Sequence, residues 1–192
     1  MSATSKSHPN EPGAVLWHIT MSLDGFITAP DDTMDFAFLV GTASPLAEEV
    51  MRTTGAILAG RRWHDVAQER YSGRKGIYGG RWRGPVFVLT HRPQDPSADP
   101  AIMFLSDGIE HAVATARAAA EGKNLEIFGA NVAKQCLQAG LIDEIAVHVV
   151  PVLLGDGVRL YGGSGGAEVR LQRTTLAESG QLTDLRFRVL RS

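Results

Sequence analysis

The residues best suited to chemistry sit at the ends of short apolar runs. Leu125–Phe128 passes into Gly129, Ala130, Asn131 and Val132. Asn131 is a good N-cap; Val132, Ala133, Cys136 and Leu137 share one face of the helix that should follow, and Gly140 suits its end. A strand running through a small-residue turn into a helix aims backbone N–H groups and the positive helix end at one spot, which suits a phosphate. An ordinary connection with nothing bound would use the same residues. A second run, Gly55–Ala59, leads into Gly60, Arg61, Arg62 and Trp63. A guanidinium offers a planar fork of donors to phosphate oxygens; surface arginines after a strand are the plainer alternative. A third run, Pro85–Leu89, ends in Thr90, His91 and Arg92, a hydroxyl, an imidazole and a guanidinium that together would suit a phosphomonoester. Asp35 lies among Asp31, Asp32, Met34, Phe36 and Phe38, and reads either as a substrate-facing acid or as a solvated loop acid.

These positions need a scaffold. Val15–Met21 is a strand candidate that runs into the Ser22–Gly25 turn, where Asp24 tolerates and Gly25 supplies positive φ. Ser44 and Pro45 open a helix, and Asp107 with Glu110 resembles a capping box for another. Ile145–Val152 is rich in β-branched residues, and Val169–Thr175 with Leu185–Leu190 reads as a closing hairpin-like pair. Strands alternating with helices predict an α/β fold with a mostly parallel sheet. No G-x-G-x-x-G follows the first strand, which argues against a standard Rossmann domain. Glu69–Gly84 alternates glycines with Arg70, Arg74, Lys75, Arg81, Arg83, Tyr71, Tyr78 and Trp82, and could be a lid, a solvated insertion or an arm across a dimer partner.

Bulk properties narrow the classes. The 192 residues suit one domain over 14–192, after a polar segment, 1–13, expected to be disordered. Lys plus Arg is 19 and Asp plus Glu is 21, giving a net charge of −2 and no electrostatic case for nucleic acid or an anionic membrane. No apolar run is long enough to span a bilayer, and residues 1–13 lack the apolar core of a secretory signal. The single Cys136 excludes an internal disulfide and suits a reducing, cytoplasmic setting. It also excludes the C-x-x-C zinc set of a deaminase. The histidines show no ligand spacing, and His148 reads as a satisfied core or interface residue.

Three words together, Gly129–Asn131, Ala139–Glu144 and Pro151–Gly157, resemble the signature of the dihydrofolate reductase-like family. They are most similar to the C-terminal reductase domain of riboflavin-biosynthesis deaminase-reductases and its stand-alone relatives, and the likeness spans roughly 15–190. The resemblance implies a mixed, mostly parallel central sheet with helices on both faces and a C-terminal antiparallel pair. It implies NADPH as cofactor, with Thr20 and Ile27 lining the nicotinamide. Gly60, Arg61 and Arg62, with Phe128–Val132, would meet the phosphates, and Thr90, His91 and Arg92 the adenosine 2′-phosphate. Asp35 would take the place of the acid that grips a pterin. The expected substrate is a small heterocycle, either the aminopyrimidine ribosyl phosphate of riboflavin biosynthesis or a pterin such as dihydrofolate, although the stand-alone architecture weakens the riboflavin assignment. A homodimer is implied, with Ile145–Val152 as a candidate surface. Two positions depart from the pattern: Trp63 replaces a common Thr, and Phe128 replaces the first glycine of a Gly-Gly pair, which would restrict backbone approach to a pyrophosphate. A non-catalytic nucleotide- or drug-binding module is the alternative.

Overall fold

The computed structural model describes residues 13–39, 44–92, 97–162 and 167–191. The segment expected to be disordered lies, apart from Gly13, outside them, as do residues 163–166 of the glycine-rich stretch 162–166, which the sequence suggests is a flexible link. In chain order come β1 (Val15–Ser22), β2 (Phe26–Thr28), a 3-10 turn (Asp35–Phe38), α1 (Pro45–Thr53), β3 (Thr54–Gly60), α2 (Arg61–Arg70) and a kinked 3-10 segment (Gly73–Gly80). There follow β4 (Val86–Leu89), β5 (Ile102–Leu105), α3 (Ile109–Ala118), β6 (Asn124–Phe128), α4 (Ala130–Gln138), β7 (Glu144–Val150), β8 (Val158–Arg159), β9 (Leu171–Ser179) and β10 (Leu182–Val189).

Eight strands form one sheet in the order β5-β4-β3-β6-β1-β7-β10-β9. Pairings from β5 through β7 are parallel, and β10 runs antiparallel to both β7 and β9. This is the expected α/β architecture. Parallel strands need crossovers, and the helices supply them on both faces. Val15, Trp17, Leu58, Leu125, Ile127 and Val147 pack under α3 and α4, and Ala112, Ala116, Ala133 and Cys136 meet them from those helices. The opposite face carries two clusters. Leu16 and Ala146 meet Leu46 and Val50 of α1, while Ile57, Ala59, Val86 and Val88 meet Ile77 and Trp82.

Glu69–Gly84 is therefore a packed part of that face and no loose insertion. Ile77 and Trp82 are buried, and Trp82 Nε1 donates to the Thr54 carbonyl at 3.0 Å. Its glycines and basic residues hide two apolar anchors that hold it as 3-10 turns. Smaller corrections concern the helix starts. Ser44 caps α1 as expected, accepting from the Ala47 N–H. By contrast, α4 begins at Ala130 behind Gly129, so Asn131 lies inside the helix; α3 begins after Gly108 with no side-chain cap, so Asp107 does not close a capping box. The stretch expected to offer a dimer surface lies inside the sheet. β7 is hydrogen-bonded on both edges, to β1 and β10, and Ile145, Ala146, Val147 and Val150 are buried. The outer strand β9 is exposed instead, with Leu171 and Leu176 open to solvent.

Candidate functional site

Parallel pairing of β1, β3, β4 and β6 brings their carboxyl ends to one edge of the sheet. There Thr20, Gly60–Arg62, Thr90–Arg92 and Phe128–Val132 meet, which is the place where open α/β sheets bind ligands. β3 and β6 are neighbours, so α2 and α4 start side by side. A Cβ on Gly129 would lie 3.6 Å from Trp63 Cβ, and one on Gly60 would lie 3.2 Å from Val132 Cγ2. Gly129 has φ +89°, a conformation that only glycine adopts without strain. Both helices have a glycine N-cap and no side-chain cap. Their first-turn N–H groups are thus left without a side-chain acceptor, at the positive ends of two adjacent dipoles.

The arginines are engaged locally. Arg61 Nε donates to Asp65 at 2.6 Å, and Arg62 pairs with Asp32 at 2.6 Å. Arg61 Nη1 is shielded from solvent and has no hydrogen-bond partner, and the same holds for Thr28 Oγ1 beside buried Ile27. Thr90 is buried, and its Oγ1 accepts from the Arg92 N–H, while His91 and Arg92 are exposed at the β4 end. The Phe128 and Trp63 rings pack at 4.9 Å between centroids and cover the join between the two turns. Both departures from the expected pattern thus fall in one contact.

The Ser22–Gly25 turn has a structural task that sequence reading missed. The buried Ser22 hydroxyl donates to Asp24 at 2.6 Å, and the Asp24 carboxylate accepts from the N–H groups of Leu154 and Gly155. The Ser22 bond, with those backbone N–H groups, pulls the Asp24 carboxyl down to about 2 despite some desolvation. The first-strand turn thereby clamps the Pro151–Gly157 loop. Gly157 lies so close to the Thr28 carbonyl that a Cβ would fall 2.0 Å from it. Asp35 lies apart. It is exposed, and its carboxylate accepts from Tyr71 Oη at 2.8 Å.

Sequence reading also missed a buried polar row on the α1 face. Side chains alternate along a strand, so His18 shares a face with Thr20, and Glu126 with Phe128. Glu126 Oε1 accepts from Tyr78 Oη at 2.7 Å and lies 2.8 Å from His18 Nδ1. His18 Nε2 lies 2.6 Å from His148 Nε2, and His148 Nδ1 lies 2.6 Å from Asp184 Oδ1. The hydroxyls of Ser44 and Ser179 donate to Asp184 Oδ2, and that of Thr54 to Glu126 Oε2. Register explains the grouping, because His148 pairs with Thr20 across β1 and with Asp184 across β10. Burial and the neighbouring His18 hold the His148 imidazole below its ordinary value, against the pull of Asp184. Desolvation works to raise the Asp184 carboxyl, but bonds from Ser44, His148 and Ser179 outweigh it and leave it lowered. Burial, with Glu126 alongside, keeps the Tyr78 phenol protonated. The helical segments hide this row from sequence reading, and only the spacing His18–Thr20 and Glu126–Phe128 beside the strand-end words could have signalled it.

A profile of the RibD C-terminal domain matches residues 14–183. The chain belongs to the RibD C-terminal domain family. Solved structures agree on the fold. A putative riboflavin biosynthesis protein from Shewanella sp. PV-4 superposes with a TM-score of 0.74 at 22% identity, over 93% of this chain and 99% of that one. A pyrimidine reductase-like protein from Corynebacterium diphtheriae gives 0.63 at 17% identity, over 95% and 94%. The Thermotoga maritima diaminohydroxyphosphoribosylaminopyrimidine deaminase/5-amino-6-(5-phosphoribosylamino)uracil reductase gives 0.62 at 15%, over 93% of this chain and 57% of that one. No match was found among curated protein sequences. The RibD C-terminal domain is a reductase-like domain, and no helix among the described residues is long and apolar enough to cross a membrane.

Proposed function

We propose that this RibD-like domain is an NADPH-dependent reductase that transfers hydride to a C=N or C=O bond of a small heterocycle, either an aminopyrimidine ribosyl phosphate or a pterin. The observation that carries this reading is the pair of uncapped, glycine-led helix starts at adjacent strand ends, β3–α2 and β6–α4. The donor set fits a dinucleotide. The N–H groups of Ala130–Val132 and of Arg61–Arg62 would hold the pyrophosphate, and the orphaned Arg61 Nη1 would complete the cradle. Thr90, His91 and Arg92 would take the 2′-phosphate, because this strand end is basic where an NADH site would offer an acid to the ribose hydroxyls. Thr20 and Ile27 would line the ring, with Thr28 Oγ1 free to hydrogen-bond to it. Bound there, a reduced nicotinamide supplies the hydride. The residues bind, orient and exclude water. Asp35 is proposed as an acceptor contact, and unchanged turnover in Asp35→Asn would remove it from that role.

The Phe128–Trp63 contact favours a second reading, a binding module without turnover, because the two rings stand where the backbone would need to approach a pyrophosphate. Titration with NADPH and NADH, followed by quenching of Trp fluorescence, separates the two. Tight binding of NADPH over NADH, followed by NADPH oxidation with a pyrimidine or pterin acceptor, supports the reductase. Binding with no turnover across that screen supports the module, and no binding of either cofactor overturns the cofactor reading. We also propose a homodimer, seated on the exposed β9 edge. A monomer by light scattering at micromolar concentration would reject it.

A further inference from the structure

The hydrogen bonds of the buried row admit few proton arrangements. A contact of 2.6 Å between His18 Nε2 and His148 Nε2 needs one proton between the nitrogens. Each Nδ1 that faces a carboxylate also needs one, whether it rests on the ring or on the acid. Three protons therefore occupy three bonds, and the row carries one net negative charge however they are placed. An ionised Asp184 draws the His148 proton to Nδ1, which leaves Nε2 to accept from His18. The proton at His18 Nδ1 faces both Glu126 Oε1 and Tyr78 Oη, each 2.8 Å away, and the Tyr78 hydroxyl is its way out.

That way out is set by burial. Glu126 and Asp184 are fully buried, and the His148 side chain is 5% exposed. Thr54 closes the Glu126 end, while Ser44 and Ser179 close the Asp184 end. His18 is the open member, at 10%, stacked at 6.0 Å on the half-buried ring of Tyr78. Tyr78 is held there with φ +51°, a strained value for a bulky residue, of the kind that gathers at functional sites. Charged groups on the packed elements point elsewhere. Glu48 and Glu49 of α1 pair with Arg81 and Arg186, and Arg186 of β10 also pairs with Glu144.

We propose that the Glu126–His18–His148–Asp184 row is the proton store of the reduction site, with His18 handing its Nδ1 proton through the Tyr78 hydroxyl, 2.8 Å away, to the acceptor and the other three positioning it. This rests on the reductase reading. Thr20, expected to line the nicotinamide, lies two residues beyond His18 on the same face and directly beside His148. Hydride from the reduced nicotinamide forms the new C–H bond, and the C=N or C=O π pair moves to the heteroatom. That pair takes the Tyr78 hydroxyl proton, which the proton on His18 Nδ1 replaces. The nicotinamide is oxidised, the acceptor is reduced by two electrons, and the row loses one proton, which water restores between turnovers.

Two experiments decide it. Nitrogen-15 histidine NMR of the full chain, with no ligand, should show His148 protonated at Nδ1 alone, with one proton shared between Nε2 of His18 and Nε2 of His148. A His148 protonated at Nε2, or no proton shared between the two rings, would overturn the shared store. In turnover with NADPH and a reducible acceptor, His18→Gln should lose about 100-fold or more in kcat, the scale of a lost general acid. Its affinity for NADPH should stay unchanged, and the fall of the rate with rising pH should disappear. His148→Gln should keep part of the rate with a displaced pH profile. A rate within threefold of the parent and an unmoved profile in both variants would overturn the proton-donor role. If no acceptor is reduced at all, the reductase reading fails by itself, and the NMR result still decides whether the store exists.

Discussion

The carboxyl edge of the sheet and the polar row beneath α1 use similar side chains, yet they are assembled in opposite ways. At the edge, each functional group sits on a short word of consecutive residues, such as Gly60–Arg62 or Gly129–Val132, and the backbone itself supplies the donors. The row takes one residue from each of β6, β1, β7 and β10, and its members are up to 166 positions apart in sequence, counting from His18 to Asp184. The edge opens to solvent at Arg62, His91 and Arg92, and Arg61 pairs within its own helix, with Asp65. The row is buried, and its members satisfy one another. Function that lives in a loop word can be read from a sequence, whereas function that lives in strand register cannot be read until the sheet order is known.

Energetics should separate the two regions first and most strongly. Asp184→Ala leaves His148 and the hydroxyls of Ser44 and Ser179 facing no acceptor in the core. We expect a loss of about 3–5 kcal/mol in stability, the cost of breaking a buried charged network from one side. Urea denaturation checks it, and a loss below about 1 kcal/mol would mean that water enters the row.

A second comparison bears on the edge. Gly129→Ala forces a side chain into φ +89°, at a cost of order 1–3 kcal/mol. The same change at Gly140, φ +67° with open space around it, also strains the backbone but lies at the far end of α4. NADPH titration should show affinity falling roughly tenfold or more for Gly129→Ala, as expected when a strained turn moves the donors, and holding for Gly140→Ala. Equal affinities in both would take the cofactor away from this turn.

The fold was largely legible because its signals are local. Apolar runs ending in glycine marked β3 and β6, Ser44–Pro45 marked α1, and the closing β9–β10 pair was visible as two β-rich runs. What failed was of two kinds. Asn131 and Asp107 are good caps by residue type, but glycines at 129 and 108 took the cap positions, because backbone geometry at a tight strand–helix turn outranks side-chain preference. His148 was rightly read as satisfied, but its partners, Asp184 and His18, come from pairings that no local pattern encodes. Glu69–Gly84 misled by composition. Most of its charges face solvent, Arg74 pairs with Asp99, and two apolar residues, Ile77 and Trp82, decide its packing.

Acid should weaken the row before it touches the edge. The folded His148 imidazole sits below its unfolded value of about 6.5. Below that pH the unfolded chain binds a proton that the folded chain refuses, so stability falls as pH drops from about 7 toward 5. Asp184 and Asp24 have lowered folded values, so their contributions hold above about pH 4 and are lost only on further acidification. Urea midpoints across pH 4–8 should therefore fall in two stages, and His148→Gln should remove the upper one. A single stage below pH 4 in the parent protein would mean that the Asp184 pairing, and not burial, governs His148.

The smallest expected effect is Arg92→Ala. Arg92 is exposed and holds only a turn bond through its backbone N–H to Thr90, which alanine keeps. Stability should stay within about 0.5 kcal/mol of the parent, the usual range for a surface change. If the β4 end takes the 2′-phosphate, however, losing one guanidinium–phosphate bond should lower the preference for NADPH over NADH by about tenfold, at 1.5–3 kcal/mol for a charged hydrogen bond. Affinity for NADH should not move, since NADH has no phosphate at that position. Parallel titrations of the two cofactors read this directly. An equal fall for both would place Arg92 near the shared pyrophosphate instead, and no fall for either would leave Thr90 and His91 as the only β4 groups able to select the cofactor.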